Sequence, residues 1–365
     1  MSQSKNQTLQ NIINELNKTY LTKDALKEYK EEIARKAPLV VVFGGTGLIG
    51  KAVVKKLCSL GYRVRSVSRN PEQSYSMKQF GNVGQVQLVK GDVKNSEDLQ
   101  IYMSDASSVI YAACGDSSKG VNSYNKVNYL AALKAAEIAD AHKIPFIYFS
   151  SLQAHPKSAS ALATANFSGE DLLIYHHKTP IIIRPSLVFG AEDKLFNKIA
   201  NASRFLCKIP VISNSSIFEP VYIGDIADFV GWLYESRYIE KVRIPSCFEL
   251  GGPQKLPFPE IINIVNSVTG RKAKAVNVPS CLGLLFGRIA NILNKVPLLP
   301  KAPGYECIIK QTLNSTISQH SKRYSYTFDA AEIKPRSFAS VAPSYLWRCR
   351  KNGQYEIGTT PDWSR

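Results

Sequence analysis

The chain has 365 residues, 44% of them hydrophobic, enough to bury one large core or two smaller ones. No run reaches the ~20 apolar residues that a membrane-spanning helix needs, and no apolar segment follows a basic start as in a secretory leader. The formal net charge of +17 points to an acidic partner surface, an anionic membrane face or nucleic acid. The seven cysteines are scattered and show neither a CxxC pair nor zinc spacing, which suits thiols in a reducing compartment.

Residues 1–37 read as an N-terminal arm. Leu9, Ile12, Ile13, Leu16 and Tyr20 fall at helical spacing. Glu15, Asp24, Glu28, Glu31 and Glu32 accompany the basic residues, unlike an acid-poor mitochondrial presequence. An amphipathic helical arm and an unstructured tail both fit. From residue 38 onward apolar strands alternate with helical stretches. Strands are expected at 39–43, 63–67, 86–89, 108–112, 145–149 and 181–184, with helices at 48–59 and 121–142. This rhythm predicts an α/β fold with a doubly wound parallel sheet, Rossmann-like, over residues 38–190. A smaller domain over 191–320 is expected to interleave with the sheet and close its crevice. It includes a helix starting near Asp225 and another stopped by Gly270. Residues 321–365 are expected to wrap the surface as a tail.

"GGTGLIG" at 44–50 follows the first strand and opens the first helix, placing Gly44, Gly47 and Gly50 in a GxxGxxG pattern. A tight turn, close approach of the backbone to a pyrophosphate and close helix–strand packing each call for a residue without a side chain. The helix N-terminus then offers unpaired N–H groups and a positive dipole to phosphate. After the second strand the chain reads Ser68, Arg69, Asn70, where an acidic residue would have bound the ribose 2′-hydroxyl of NAD. Arginine there fits a 2′-phosphate and favours NADP(H). Asp92 and Val93, after the third strand, are placed to meet the adenine, although Asp92 would equally serve a turn.

Three segments carry a resemblance: the glycine pattern, "GDV" at 91–93 and "RPSLVFG" at 184–190. Together they make the chain similar to atypical members of the extended short-chain dehydrogenase/reductase superfamily. "RPSLVFGAEDKLFNKIA" at 184–200, "EPVYIGDIAD" at 219–228 and "FELGGPQKLPFPEIINIV" at 248–265 resemble, more narrowly, the complex I accessory subunits of this fold, subunit nine of the alpha subcomplex. The resemblance spans roughly residues 39–350. It implies an NADPH-binding subunit, peripheral to the mitochondrial inner membrane on its matrix side, structural in role and surrounded by other subunits of a large membrane complex. Nucleotide contacts are then expected from Gly44, Gly45, Thr46, Gly47, Leu48, Ile49 and Gly50. Further contacts are expected from Ser68, Arg69, Asp92, Val93, Ala112, Ala113, Ser150, Ser151 and Pro185.

Active members of the superfamily use Tyr-x-x-x-Lys on the helix after the fifth strand, one helical turn apart, with a serine upstream. Ser150 and Ser151 occupy the serine region. Counting back from Gly169 and Glu170 puts Leu162 in the tyrosine slot and Asn166 in the lysine slot, and none of the 18 tyrosines has a lysine four residues later. No catalytic residue is therefore expected. His176 and His177 read as surface histidines with no third metal ligand nearby. Asp225 reads as a helix cap, and Glu192 and Asp193 as residues at a helix N-terminus.

Residues 271–323 hold Arg271, Lys272, Lys274, Arg288, Lys295, Lys301, Lys310, Lys322 and Arg323 against one acid, Glu306. Within them Leu282, Leu285, Phe286, Ile289, Ile292 and Leu293 share one helical face, the pattern of an interfacial helix meeting anionic lipid, or of a core-packed helix. Two other functions remain open at this level: an active NADP-dependent reductase or isomerase, and an RNA-binding protein on the same fold. The latter lacks any aromatic–basic recognition ladder, so no nucleic-acid partner is expected.

Overall fold

The computed structural model describes residues 37–116, 120, 123–211, 216–279 and 325–350. The expected N-terminal arm, the apolar stripe at 282–293 and much of the tail lie outside the described residues. Strand β1, Leu39–Phe43, is buried at every position. It runs through a glycine turn into helix α1, Leu48–Ser59. Then follow β2 (Arg63–Ser68), a 3-10 stretch at Pro71–Phe80, β3 (Val86–Lys90), α2 (Ser96–Met103) and β4 (Ser108–Tyr111). A π-helical turn at Asn125–Ala131 leads into α3 (Ala132–Ala141), β5 (Phe146–Phe149), α4 (Ala161–His176) and β6 (Ile181–Pro185). Next come β7 (Val188–Phe189), α5 (Leu195–Phe205), β8 (Lys208–Val211), β9 (Ile217–Phe218), β10 (Val221–Tyr222), α6 (Ile223–Glu235) and α7 (Tyr238–Lys241). The described chain closes with β11 (Ser246–Leu250), β12 (Leu256–Pro257), α8 (Phe258–Thr269), β13 (Lys274–Asn277), β14 (Ser325–Tyr326), and α9 (Phe338–Val341) and α10 (Pro343–Leu346).

Eight strands form one sheet in the order β14-β11-β6-β5-β4-β1-β2-β3, every pair parallel. The expected doubly wound fold is borne out. Helices cover both faces, so the inner strands need apolar side chains up and down and read as continuous hydrophobic runs. Alternate residues feed opposite layers. Val40, Val42, Ile110, Ile147 and Ile183 pack on α1 and α6 through Val53, Val54, Leu57, Phe229 and Leu233. Val41, Phe43, Val109, Tyr111, Phe146 and Tyr148 pack on α2 and α3 through Leu99, Met103, Ala132, Ala135 and Ala136. The β1–β4 junction is where the strand order reverses, and a crevice opens there at the C-terminal ends of the strands.

Two local expectations are corrected. The helix expected to run uninterrupted over 121–142 begins instead with the π turn. The buried hydroxyls of Tyr111 and Tyr148 donate to the carbonyls of Val127 and Asn128 at 2.6 and 2.7 Å, and so give these carbonyls partners outside the helix. Nor does the C-terminal segment merely wrap the surface. β14 extends the sheet beside β11, and Phe338, 1% exposed, sits 5.1 and 4.5 Å from the rings of Phe189 and Phe196. It belongs to a third core with Ile199, Val211, Phe258, Ile262 and Leu346.

Candidate functional site

The crevice is a cleft of about 810 Å³. Its floor is the turn after β1. Gly44 adopts φ +77, and a side-chain carbon there would stand 2.6 Å from the Ala113 nitrogen and 2.7 Å from the Ala112 carbonyl. Both neighbours are backbone, so only glycine fits. A carbon on Gly50 would overlap the Gly44 carbonyl oxygen and come within 2.6 Å of the Gly45 Cα, which lets α1 sit tight against the turn. Gly47 differs. It is the N-cap of α1, and the one neighbour of an added carbon is the Gly44 oxygen at 3.3 Å. The protein itself does not need glycine at 47; a ligand approaching the helix N-terminus would.

The structure brings Gly44, Thr46, Gly47, Ser68, Arg69, Asp92, Val93, Ala112 and Ala113 together on the cleft wall. Arg69 is exposed at the lip and has no ion-pair partner among the described residues. Asp92 lines the cleft and also shapes its turn: its carboxylate accepts from the Lys94 N–H at 3.1 Å and pairs with the Lys94 ammonium at 3.2 Å. The remaining expected contacts stand elsewhere. Gly45 packs on Ser66 and Gly50 on the turn, Ile49 packs against the first core layer, and Leu48 opens α1. Pro185 pairs with Leu250 inside the sheet. Ser150 follows β5 with a buried hydroxyl that has no hydrogen-bond partner among the described residues. The Ser151 hydroxyl accepts from the Gln153 N–H at 3.2 Å.

Several wall residues were not expected: Lys51, Gln73, Ser74, Cys114 to Asp116, Val127 and Lys194. Cys114 to Asp116 continue the loop after β4 and would have been found by extending that strand, whereas Lys51 follows Gly50 inside α1, Gln73 and Ser74 lie in the 3-10 stretch after β2, and Val127 comes from the π turn. Lys194 has no such signal, because the chain between β7 and α5 brings it in. Glu192, two residues earlier, binds Lys51 of α1 at 2.6 Å. Asp193 accepts from the Phe196 and Asn197 N–H groups at 2.6 and 3.3 Å, which bears out its place at a helix N-terminus. Burial pushes its carboxyl above the ordinary range despite those donors.

The slots for acid–base chemistry hold other residues. Leu162 lies in the first turn of α4. Asn166, 3% exposed, accepts from the Asn128 amide at 2.7 Å. The Asn128 side-chain oxygen Oδ1 in turn accepts from the Gly115 N–H at 2.8 Å. The lysine slot is therefore part of a polar tie that fixes the loop after β4, a wall of the cleft. The nearby phenols are poor substitutes: burial pushes Tyr111 and Tyr148 well above the ordinary tyrosine range. Beneath α4, Arg184 bonds Glu170 through Nε at 2.8 Å and through a second, short contact from Nη2, and reaches Glu249 at 3.3 Å. All three are buried.

Two further expectations are corrected. Asp225 does not cap α6: the N-cap is Tyr222, with no side-chain bond. Asp225 instead receives the Arg336 backbone N–H at 2.7 Å and pairs with its guanidinium at 2.9 Å. His177 is not on the surface. It is 5% exposed, stacks 5.9 Å from Phe146, accepts from the Thr179 N–H at Nδ1 and holds the Ile144 carbonyl through Nε2 at 3.1 Å. Burial lowers its pKa. Among the described residues no His/Cys/Asp/Glu group could hold a metal, no helix is long and apolar enough to cross a membrane, and no disulfide forms among Cys58, Cys114, Cys207, Cys247 and Cys349.

Residues 44–186 match a protein family described as NAD(P)H-binding. The chain is 27% identical over 318 residues to the mitochondrial NADH-ubiquinone oxidoreductase 40 kDa subunit of Neurospora crassa, covering 87% of this chain and 80% of that one. It is 24% identical to the mitochondrial NADH dehydrogenase [ubiquinone] 1 alpha subcomplex subunit 9 of Arabidopsis thaliana, covering 86% and 79%. It is 29% identical to a ceramide reductase of Caulobacter vibrioides, covering 73% and 81%. Among solved structures, a putative epimerase from Burkholderia cenocepacia superposes with a TM-score of 0.61 at 14% identity, over 86% of this chain and 98% of that one. MoeE5 in complex with UDP-glucose and NAD superposes with a TM-score of 0.59 at 13% identity, over 84% and 97%. The resemblance to the subunit 9 proteins and to dehydrogenase/reductase folds is borne out.

Proposed function

We propose that the chain is an accessory subunit of mitochondrial respiratory complex I that holds NADP(H) for structure and assembly and does no chemistry on it. One observation carries the reading: the dinucleotide cleft is intact at Gly44, Gly47 and Arg69, while Leu162 and Asn166 stand where proton transfer would need tyrosine and lysine. Similarity to two named complex I subunits over most of the chain supports the setting. Arg69, exposed at the lip and without an ion-pair partner among the described residues, supports NADP(H) over NAD. Gly44 to Gly50, Ser68, Asp92, Val93, Ala112, Ala113, Ser150, Ser151 and Pro185 complete the proposed nucleotide environment. The region 191–320 acts as the smaller domain that closes the crevice, a role that the Lys51–Glu192 pair and the position of Lys194 support. Attachment is peripheral, on the matrix side, with the basic stretch 271–323 facing anionic lipid.

A second reading, an active reductase, is favoured by two observations: the similarity to a ceramide reductase and the buried, unpartnered Ser150 hydroxyl. One set of measurements on the purified chain separates them. Mass spectrometry of the released nucleotide should find NADP(H), and Arg69→Asp should shift preference toward NAD. NADPH oxidation with carbonyl substrates should stay far below ordinary enzyme rates of ~1–1000 per second. Turnover in that range, lost in Ser150→Ala, would establish the reductase; release of NAD alone would overturn the cofactor reading.

A further inference from the structure

The end of α5, the β8/β13 pair and the hollow beside α8 form a face that none of the nucleotide chemistry uses. β8 and β13 run parallel with Lys208 opposite Lys274 and Pro210 opposite Val276. Ile209 and Val211 point into the third core, so the alternate residues Lys208 and Pro210 face solvent. The adjoining helix end presents Phe205, 81% exposed, and Leu206, 49% exposed, and β13 adds Val276 at 38%. The Arg204 guanidinium lies 5.7 Å from the Phe205 ring. Residues 198–211 and 271–279 contain Lys198, Arg204, Lys208, Arg271, Lys272 and Lys274, and no acidic residue. Arg271, Lys272 and Lys274 also line a shallow cavity of about 540 Å³ against α8.

Two features ask for a partner. Neighbouring strands lie about 4.8 Å apart, so the paired ammonium groups of Lys208 and Lys274 repel one another unless an anion lies between them. Large apolar side chains protrude through the same basic surface. We propose that this face docks on an anionic phospholipid bilayer, with Phe205, Leu206 and Val276 entering the headgroup–acyl boundary. Arg271, Lys272 and Lys274 take lipid phosphates in the shallow cavity, and Lys208 joins Lys274 over a neighbouring headgroup. A bilayer fits better than an acidic protein because the apolar groups stand out from the surface. Acyl chains accommodate a protruding ring without a matching pocket, whereas a protein would have to supply one. The inference rests on the reading that a basic face meets anionic lipid, and it moves the contact from the stripe at 282–293 to residues 204–210 and 271–276.

The test is flotation of the full chain with vesicles of phosphatidylcholine alone or mixed with phosphatidylglycerol, across a salt series. The expected result is binding to the mixed vesicles only, released by salt. Lys208→Glu with Lys274→Glu should cut partitioning by about 600-fold at low salt, since each unit of charge near an anionic surface contributes roughly fivefold and each reversal changes two units. Phe205→Ser with Leu206→Ser should weaken binding at every salt concentration. All four positions are exposed, so melting temperature and NADPH binding should hold. Arg288→Glu with Lys295→Glu should bind like the wild type. If the face variants float normally while the Arg288/Lys295 variant does not, this assignment is overturned and the broader lipid reading survives. If the wild type ignores phosphatidylglycerol, both fall. Binding to polyglutamate but to no vesicle, lost in the face variants, would assign the surface to an acidic protein and overturn the proposal.

Discussion

Replacing Gly47 by valine separates what the fold needs from what the nucleotide needs. A side-chain carbon at 47 meets only the Gly44 oxygen, at 3.3 Å, while φ at this position is −74, open to any residue. The expected cost to the empty protein is below about 1 kcal/mol. The ligand pays differently. A valine at the helix N-cap stands where phosphate oxygens would approach the first-turn N–H groups. A nucleotide at a hundredfold excess over its Kd stabilises the folded state by about 2.7 kcal/mol, which for a chain of 365 residues corresponds to a rise in melting temperature of roughly 3–5 °C. Thermal melts with and without NADPH should show that rise in the wild type and none in Gly47→Val, with similar baselines for the two empty proteins. Gly44→Val is the contrast. At φ +77, with backbone 2.6 Å away, it should fail without any ligand. An undiminished NADPH shift in Gly47→Val would refute the placement of the pyrophosphate. Collapse of the empty Gly47→Val protein would refute the claim that only the ligand requires this glycine.

Two further outcomes follow from buried polar groups. Arg184→Met leaves Glu170 and Glu249, 0% and 2% exposed, without their shared cation. Removing one partner of a buried charge cluster costs about 3–5 kcal/mol, and a melt unchanged within error would contradict the triad's role. His177 sets a pH dependence. Burial lowers its pKa in the folded protein, so the unfolded chain binds the extra proton first, near pH 6.5. Its contribution is complete above that value and declines as pH falls below it, at most about 1.4 kcal/mol per pH unit. Urea midpoints measured down from pH 7 should drop more steeply for the wild type than for His177→Phe; parallel slopes would show that the ring does not titrate on unfolding.

What was legible in the sequence was what short-range chemistry decides. β1 and α1 begin and end where expected, because an apolar run, a glycine turn and an apolar periodicity sit side by side. Gly270, in the left-handed region at φ +67, stops α8 as expected. The misses all depend on distant partners. The π turn needs the hydroxyls of Tyr111 and Tyr148, which come from separate strands. Asp225 resembles a cap until Arg336 arrives from 111 residues away. His177 looks solvent-exposed at a helix end until Phe146 and Ile144 cover it. On the cleft wall, residues in the strand-end loops near the motifs were within reach of sequence reasoning, whereas Lys194 enters through the path of a later segment.

The Asn128–Asn166 tie has a consequence for any attempt to install the tyrosine–lysine pair. Asn166 is not an empty socket left by a departed lysine, since it braces the residue that holds Gly115. Writing tyrosine at 162 and lysine at 166 would bury an ammonium at a site 3% exposed, cut the brace and loosen the wall of the cleft it was meant to serve. Installing the pair is therefore more than a two-residue change, because Asn128 and through it Gly115 would need new partners first.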